Sequence, residues 1–448
     1  MNVYRHRAAR AAALLLAWAG SVFAQPAPCV PPPSPVHLAE DNARAEALFQ
    51  RQALRSGTSA ARFVRRPAGF VSAEAVGARG DGRGDDTAAL QAALDQHARV
   101  WLEPARVYRI LRRLELRGGT ALASDGTATL LMAAEGFDNA IAKRTDETLY
   151  SVTGVGLAVR GEGVTVQGLF IVKEWADDRY VIAIDVQQAA RVALRGLRLR
   201  GFSTAPGIVT VRSSDDVEIR DNLIHDSCSA SVRVPDDVAS FQITGISVDD
   251  SRVAGRGSRW VRVLHNVILD LRMTGNTPRG NQSDGINFAA IGSGAGSVIQ
   301  GNRIEGVDEG IDLFGSGIRV AGNVVSAYSL PVKLIHGARN IEVLDNDLQA
   351  GRFGAIALYS ARPAVAERQV RDVRIQGNRL RGGTGPLVLI EGQEALSPTG
   401  ITLRGNRHEV PDCALPAPAC VAGRCSARDE RRVLAKTARA CPSPPVMP

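Results

Sequence analysis

A short strand pattern recurs along most of the chain, and this repeat limits the possible folds more than any other feature. From residue 164 onward the chain repeats apolar-x-apolar-x-x-(Asn or apolar)-x-apolar ten times, at steps of 20 to 36 residues. Strands this short, without helical patterns between them, are typical of a solenoid whose coils stack on one another. The pattern is centred on residues 169, 197, 222, 246, 266, 302, 323, 346, 378 and 406.

A second series of short strands runs in phase with the first, each copy about ten residues ahead of its partner. Two strands per repeat of about 26 residues predict an all-β fold, a single-stranded parallel β-helix with coils about 4.8 Å apart. The copies span residues 183–186, 207–211, 231–234, 285–288, 310–313, 331–334, 355–358 and 386–389.

Asparagine recurs at one position of the first series. Side chains in such a column lie one above another along the solenoid axis, where each amide can hydrogen-bond to the next and to turn backbone. We therefore predict a structural ladder and not a catalytic one. Its members are Asn266, Asn302, Asn323, Asn346, Asn378 and Asn406.

The segment before the repeats predicts a cap on the open end of the solenoid. Residues 85–87 supply N-cap side chains, and Leu90 and Leu94 follow at helical spacing. A short amphipathic helix at this place covers strand edges that would otherwise promote aggregation. The next stretch, residues 100–110, is expected to form the first coil.

The first 24 residues have the pattern of a signal peptide. Three arginines precede an apolar run at 11–19, and small residues follow it. Removal of this segment leaves 51 basic and 46 acidic residues, a net charge of +5. No other apolar run is long enough to span a membrane. We expect a periplasmic or secreted protein without a membrane span, either a monomer or a small homo-oligomer.

The last 36 residues hold four of the six cysteines and lack apolar periodicity. Export favours disulfides, and the spacing of Cys413, Cys420 and Cys425 does not match paired zinc knuckles. The chain is thus expected to comprise a signal peptide (1–24), an N-terminal linker or extension (25–69), a parallel β-helix domain (70–411) and a Cys- and Pro-rich C-terminal tail (412–448).

Motifs and charge exclude several classes of function. The chain has no Gly-x-Ser-x-Gly, P-loop or zinc-ligand helix, so acyl transfer, nucleotide hydrolysis and zinc proteolysis have no support. Of 54 basic residues only four are lysines, and aromatic residues make up 5% of the chain. Because no aromatic residues are interleaved with a basic patch, nucleic acid is not an expected partner. The positive charge favours an anionic polysaccharide.

Polar side chains line one face at the centre of the predicted solenoid. Strand alternation places the middle residue of each copy in the second series outward, so Asn287, Asp312 and Lys333 are expected on successive coils. The same reasoning places Arg233 in this column. Elsewhere most of the column is apolar or small; its predicted members are Asp185, Val209, Arg233, Asn287, Asp312, Lys333, Ala357 and Val388.

Three acidic residues precede these strands at matching positions. Asp284 and Glu309 are expected about 5 Å apart on neighbouring coils, with Asp308 beside Glu309. Hydrolysis of a glycosidic bond needs such a pair, one carboxyl group protonated and the other ionised. An alternative interpretation makes Asp-Gly-Ile and Glu-Gly-Ile ordinary turn-to-strand units, in which the acid accepts backbone N–H groups.

β-Elimination from a uronate is a second possible chemistry. It requires neutralisation of the substrate carboxylate, a base and an acid. His336 or a deprotonated Lys333 can serve as the base. Neutralisation can come from Ca²⁺ held by Asp284, Asp308 and Asp312, or from the cations Arg233, Arg272, Arg279 and Lys333.

Two stretches carry a resemblance to a known family. GARGDGRGDDTAALQAAL at 77–94, followed by VWLEPARVYRI at 100–110, resembles the N-terminal signature of the pectate-lyase-like right-handed parallel β-helix superfamily. The group related to family 28 glycoside hydrolases is the most similar, and the pattern covers roughly residues 70 to 410. The resemblance implies a right-handed β-helix and a carbohydrate ligand. It does not imply one reaction, because this fold supports many.

The same resemblance extends to the acidic cluster. NQSDGIN at 281–287 and VDEGIDLFGSG at 307–317 resemble the Asn-x-Asp and Asp-Asp motifs of family 28 hydrolases. It implies that Asp284, Asp308 and Glu309 are the catalytic carboxylates, with Glu309 in place of the usual second aspartate. The Gly-His-Gly and Arg-Ile-Lys strands of that family are absent from the next coils.

The sequence thus predicts an exported enzyme that hydrolyses an extracellular, acidic polysaccharide. A lyase or uronate epimerase is the close alternative, and a non-catalytic glycan-binding or structural β-helix is another. No cofactor is expected, apart from Ca²⁺ in the case of a lyase. Asp284, Asp308 and Glu309 are the expected catalytic residues, and the expected substrate-binding residues are Asn287, Asp312, Lys333, His336, Arg233 and Arg279.

Overall fold

The structure is a computed structural model. It describes residues 38–56, 65–137, 141–143, 150–152, 154–174, 181–202, 207–228, 242–250, 257–272, 282–359, 366–382, 387–391, 397–410, 425–428 and 431–434.

Parallel strands stack along three faces of a β-helix, here named A, B and C. Face A comprises Leu114–Leu116, Val155–Glu162, the first half of Ile182–Arg195, Val209–Arg212, Gln242–Val248, Gln282–Phe288, the second halves of Arg303–Leu313 and Val324–Ile335, Ile356–Tyr359 and Val388–Glu391. Three strands run around a corner and so contribute to two faces, which joins the faces into one continuous structure.

Face B follows face A in each coil. Its strands are Val71–Ser72, Arg99–Trp101, Ala121–Ala123, Thr165–Gln167, the second half of Ile182–Arg195, Asp215–Arg220, Arg262–Leu264, Ser297–Gln300, Ile318–Ala321, Arg339–Leu344, Arg371–Gln376, Thr399–Arg404 and Cys425–Arg428.

Face C completes the coil and leads back to face A. Its strands are Asp81–Asp85, Val107–Ile110, Thr129–Met132, Phe170–Lys173, Arg198–Arg200, Leu223–Cys228, Val267–Arg272, the first halves of Arg303–Leu313 and Val324–Ile335, Asp347–Gln349, Arg379–Arg381, Arg407–Val410 and Arg431–Leu434. Outside the faces, Ile141–Lys143 and Tyr150–Val152 form an antiparallel pair.

The core lies inside the coils and is built by strand alternation. On face A, Ile286, Phe288, Ile311 and Leu313 point inward and are fully buried. The residues between them point outward, so each strand contributes one apolar row and one row that can carry chemistry.

The asparagine ladder is present at the turn from face B to face C. All six predicted members are buried, and from Asn266 to Asn378 each Nδ2 donates to the Oδ1 of the next at 2.9 to 3.0 Å. Asn222 extends the ladder by one coil, since its Nδ2 donates to Asn266 Oδ1 at 2.9 Å. The predicted structural role is confirmed.

One repeat was assigned to the wrong series. Ile246 lies on face A, opposite Val209 and Ile286, and not in the asparagine column. The step from Asn222 to Asn266 is therefore one long coil of 44 residues. The predicted position of this strand was wrong because the repeat pattern accepts either asparagine or an apolar residue at the position of Ile246. The strand predicted at 231–234 lies outside the described residues.

The predicted N-terminal capping helix is present, but residues 100–110 are not the first coil. Val71–Ser72 and Asp81–Asp85 already pair with the strands of that stretch and so precede it in the stack. The N-cap residue, Asp86, makes no side-chain hydrogen bond to the helix. The helix α2 (Thr87–Gln96) buries Leu90, Ala93 and Leu94 against the end of the core. Asp86 accepts the backbone N–H groups of Arg79 at 2.6 Å and Gly80 at 3.2 Å, which fixes the preceding turn.

A second helix, absent from the sequence interpretation, lies in the predicted extension. The helix α1 (Leu38–Ser56) packs Ala45 and Phe49 onto outward apolar residues of face C. Arg198 lies 3.8 Å from the centre of the Phe49 ring, and its Nε donates to Glu46 Oε2 at 3.0 Å. Short 3-10 turns at Ala73–Val76, Ala134–Gly136 and Ala366–Arg368 complete the helical structure of the described part.

Two strands of the predicted tail continue the stack. Cys425–Arg428 pairs with face B and Arg431–Leu434 with face C. Cys29, Cys413, Cys420 and Cys441 lie outside the described residues, and disulfide pairing stays a prediction. Within the described ranges, no helix has both the length and the apolarity that crossing a membrane requires.

Candidate active site

Glycines shape the corner where face C turns into face A. A Cβ at Gly285 would lie 2.5 Å from Ile304 Cγ2 and 2.6 Å from the Gly310 carbonyl oxygen. A Cβ at Gly310 would lie 2.5 Å from the Pro331 oxygen. Only glycine fits this inner corner. The bend brings Asp284 and Asn287 together, with Asn287 Nδ2 3.4 Å from Asp284 Oδ2.

The register of face A brings the predicted polar residues together. Asp284 lies directly beside Glu309 on the next coil. Asn287 lies beside Asp312, which in turn lies beside Lys333. The strands thus form a compact patch of two adjacent columns, as the sequence spacing predicts.

Lys333 is the centre of the patch. Its ammonium group lies 2.9 Å from Asp312 Oδ2 and forms a hydrogen-bonded ion pair with Glu309 Oε2. Gln282 links the other two carboxyl groups, because its Nε2 donates to Asp284 Oδ1 at 2.9 Å and to Glu309 Oε2 at 2.6 Å. The hydrogen bonds to Asp284 and Glu309 come from side chains, which does not match the turn interpretation of these acids.

The patch is buried, and burial controls its protonation. Asp284 and Asp312 are 0% exposed, and Glu309 is 8% exposed. Burial and then the nearby Glu309 carboxylate raise the pKa of Asp284 to about 7. Burial also raises the pKa of Asp312 well above its ordinary value, and Asp312 Oδ1 accepts no hydrogen bond. Near neutral pH Asp284 therefore retains a proton for part of the time, whereas an exposed aspartate has lost it.

Lys333 keeps its charge in this setting. Burial alone lowers the pKa of a lysine, but the carboxyl groups of Asp312 and Glu309 raise the pKa of Lys333 well above its ordinary value. Lys333 is consequently a permanent cation and not a base at neutral pH.

Asp308 and His336 lie at the edges of the patch. Asp308 accepts a hydrogen bond from Ser329 Oγ, and burial raises its pKa. His336 contacts Phe314 edge-on, with ring centres 4.6 Å apart. Burial, Arg368 and Lys333 lower the pKa of His336 to about 4, so its imidazole is neutral at pH 7. Asp308 and Gln282 are only partly buried, and solvent reaches the patch beside them.

The outward column differs in detail from its prediction. Thr210, Ser247 and Leu389 occupy the places assigned to Val209, Arg233 and Val388. Arg233 is wrong for this column because the strand of face A at that coil is Gln242–Val248. Arg233 and Arg279 themselves lie outside the described residues. Sequence reasoning missed Gln282 and Ser247, although Gln282 stands two residues before Asp284 and so shares its side of the strand.

Comparisons with known proteins agree with this architecture. Residues 183–380 match a protein family described as "Right handed beta helix region". The chain is a right-handed parallel β-helix. No curated protein matches the sequence closely enough to count as a relative.

Solved β-helix structures of several kinds are similar to this one. A family 28 exopolygalacturonase from Yersinia enterocolitica is 13% identical, with 85% of this chain and 80% of that chain covered and a TM-score of 0.55. The A-module of the mannuronan C-5 epimerase AlgE6 from Azotobacter vinelandii is 14% identical, with coverage of 81% and 99% and a TM-score of 0.50.

A β-helix of another kind is equally similar. The surface protein and adhesin PfbA of Streptococcus pneumoniae is 12% identical, with 82% of this chain and 98% of that chain covered and a TM-score of 0.51. At these identities the likeness establishes the fold and not the activity.

The carboxyl groups of the β-helix also meet one requirement of a cation site. One oxygen each from Asp284, Glu309 and Asp312 lies within 4.8 Å of the others. Oxygen ligands of this kind suit Ca²⁺. The Lys333 ammonium, however, already pairs with two of the three groups, so the set as arranged contains its own cation and does not fit a resident metal.

Proposed function

We propose that this β-helix hydrolyses glycosidic bonds in an extracellular, acidic polysaccharide. The observation that carries the proposal is the pairing of a carboxyl group with a pKa of about 7, Asp284, with a carboxylate that forms an ion pair, Glu309. Their oxygens lie within 4.8 Å of each other, and a sugar would approach them from the side of Gln282 and Asp308, which are only partly buried. One protonated and one ionised carboxyl group are what this reaction needs.

The proposed roles follow from these protonation states. Protonated Asp284 donates its proton to the glycosidic oxygen as the bond to the anomeric carbon breaks. At this separation Glu309 forms the new bond to that carbon, and a water molecule then displaces Glu309 and loses its proton to Asp284. Asp308, beside Glu309, is the alternative acceptor of that proton. Asn287, Asp312, Lys333 and His336 are the proposed substrate-binding residues. Binding roles for Arg233 and Arg279 stay sequence-based proposals.

Elimination or C5 epimerisation of a uronate is the second candidate, and His336 favours it. A neutral imidazole at pH 7 can take the C5 proton, whereas protonated Lys333 cannot. Lys333 already pairs with two carboxyl groups, which leaves it a weaker partner for a substrate carboxylate than the sequence implied. Hydrolysis is therefore preferred.

The proposed setting is outside the cytoplasm. The basic and apolar pattern of residues 1–24, which lie outside the described residues, supports export to the periplasm or the medium. The arginine excess supports an anionic polymer as the partner. The state as a monomer or small homo-oligomer belongs to the same proposal.

The reaction type is tested by following two products at once. The chain from residue 25 onward is incubated, with and without EDTA, on polygalacturonate, alginate and bacterial exopolysaccharides. Reducing ends without ultraviolet absorbance of unsaturated uronate are expected, and EDTA should have no effect. A rise of both signals would establish a lyase and transfer the base role to His336. Absence of both on every polymer would favour a binding or structural β-helix.

A further inference from the structure

An open cleft lies at another corner of the β-helix, where face A turns into face B. Its volume is about 550 Å³, within the range of small-ligand sites. Gly296 and Val298 of this cleft follow, on the same coil, the strand that carries Asp284. The cleft is also lined by Trp260 and by the charged side chains of Arg191, Asp215, Asp216 and Arg262.

Trp260 is the unusual residue of the cleft. The residue is 49% exposed, and its backbone φ is +53°. Arg191 and Asp216 have the same left-handed backbone at this corner of the preceding coils, so the conformation belongs to the fold. What sets Trp260 apart is its exposed indole, whose flat apolar face is the kind of surface that stacks on a ligand ring.

The Trp260 ring is held in a fixed position. A Cβ at Gly296 would lie 2.5 Å from Trp260 Cδ1, so only glycine on the next coil accommodates the indole. The Arg259 guanidinium lies 4.3 Å from the ring centre. Arg259 is itself fixed by Asp215, with Nη2 3.0 Å from Oδ2. The ring is therefore oriented before any ligand arrives, which lowers the entropic cost of binding.

The charges around the ring are balanced. The charged residues lining the cleft are two arginines and two aspartates. Arg262 pairs with Asp216, and Arg191 pairs with Glu162 on the neighbouring coil. Paired guanidinium and carboxylate groups keep spare donors and acceptors for hydroxyl groups. A balanced cleft does not select a polyanion by charge alone.

We infer that this cleft is a second glycan-binding site, in which the Trp260 ring stacks on the C–H face of a sugar. The paired arginines and aspartates then hydrogen-bond to the sugar hydroxyls. The inference rests on the proposed function only for the class of ligand, a polysaccharide. Binding here requires no reaction at Asp284, and it holds the polymer beside the coil on which cleavage is proposed.

Electrophoretic retardation in gels containing polygalacturonate, alginate or neutral galactan tests the site. Trp260→Gly removes the ring and suits the positive φ, so the variant should fold with an unchanged or higher Tm. We expect it to lose retardation, with an apparent Kd about tenfold weaker. Trp260→Phe keeps a ring and should retain most of the retardation. Ile291→Ala, which removes a similarly exposed apolar side chain, is the matched control and should behave as the wild type.

The outcomes separate this site from the catalytic proposal. Retardation should persist in 0.5 M salt, about the level at which surface charge effects are largely screened, and should persist in Asp284→Asn. Wild-type migration unaffected by all three polymers, or equal retardation of wild type and Trp260→Gly, would overturn the inference. So would a Tm of Trp260→Gly several degrees lower, because the ring would then be structural. Failure of Asp284→Asn to lose turnover would contradict only the catalytic proposal.

Discussion

At the scale of single residues, Lys333 sets the charge balance of the patch. Lys333→Met leaves the Glu309 and Asp312 carboxyl groups buried without their cation. Breaking a buried pair by removing one partner costs roughly 3–5 kcal/mol. We expect that loss in urea unfolding at pH 8 and a smaller loss at pH 5, where the carboxyl groups take up protons more readily.

An exposed ion pair gives the matched control. Arg374 pairs with Glu342, and their side chains are 50% and 39% exposed. Arg374→Met should cost less than about 1 kcal/mol at both pH values. Equal losses for the two variants would show that Lys333 is not buried among charges as described.

Asp284 determines a pH dependence of stability. Its pKa rises from 3.8 to about 7 on folding, so the folded protein holds a proton that the unfolded chain releases. This contribution is complete below pH 4 and is lost as the pH rises through about 7. Asp284→Asn cannot titrate. The free energy of unfolding of Asp284→Asn minus that of the wild type should therefore be higher at pH 8 than at pH 4.5. Urea unfolding midpoints of both proteins at both pH values measure this difference.

The control for this titration is an aspartate of face C. Asp347 pairs with Arg381, with a separation of 2.5 Å, and its side chain is 29% exposed. Asp347→Asn should not reproduce the gain at pH 8. An identical pH slope for wild type and Asp284→Asn would contradict the raised pKa.

At the scale of elements, the asparagine ladder fixes the corner between faces B and C. Asn323 Oδ1 accepts from the backbone N–H and the Nδ2 of Asn302, both at 2.9 Å. Its Nδ2 donates to Ile299 O and Asn346 Oδ1, both at 2.9 Å. Asn323→Ala leaves these groups buried without their hydrogen-bond partner, and each such group lowers the free energy of unfolding by about 1–3 kcal/mol. We expect a large fall in the urea midpoint.

Gln300 serves as the neighbouring control. It lies two residues before Asn302, the ladder member that precedes Asn323, and its side chain is exposed. Gln300→Ala should change stability by less than about 0.5 kcal/mol. A midpoint for Asn323→Ala close to that of Gln300→Ala would mean that the ladder contributes little.

The elements also show what the sequence can and cannot predict. Local spacing predicts the strands with a period of two, the asparagine ladder and the register of Asp284 with Glu309. It does so because residues one repeat apart in the sequence lie side by side on stacked coils. Ile246 was misplaced because an apolar residue fits either series. The helix α1 was missed because the apolar surface of face C that it covers is remote from it in sequence. Burial of the patch, and so its pKa values, depends on the whole fold.

At the scale of the whole molecule, the β-helix is a frame that does not determine chemistry. Structures similar to this one include an exopolygalacturonase, an epimerase module and an adhesin. The described part of this chain carries a polar patch on face A, with three carboxyl groups around one lysine. The activity of the molecule therefore depends on whether that patch reacts.

The most direct measurement is the rate at which reducing ends are released by the wild type and by Asp284→Asn from the polymer that the wild type cleaves. Loss of the proton donor should lower kcat by about 10²–10⁴-fold with the fold intact by circular dichroism. Asp347→Asn, an aspartate away from the patch, should keep wild-type activity. Cleavage by Asp284→Asn at the wild-type rate would contradict the central claim that the buried carboxyl patch of face A is the active site.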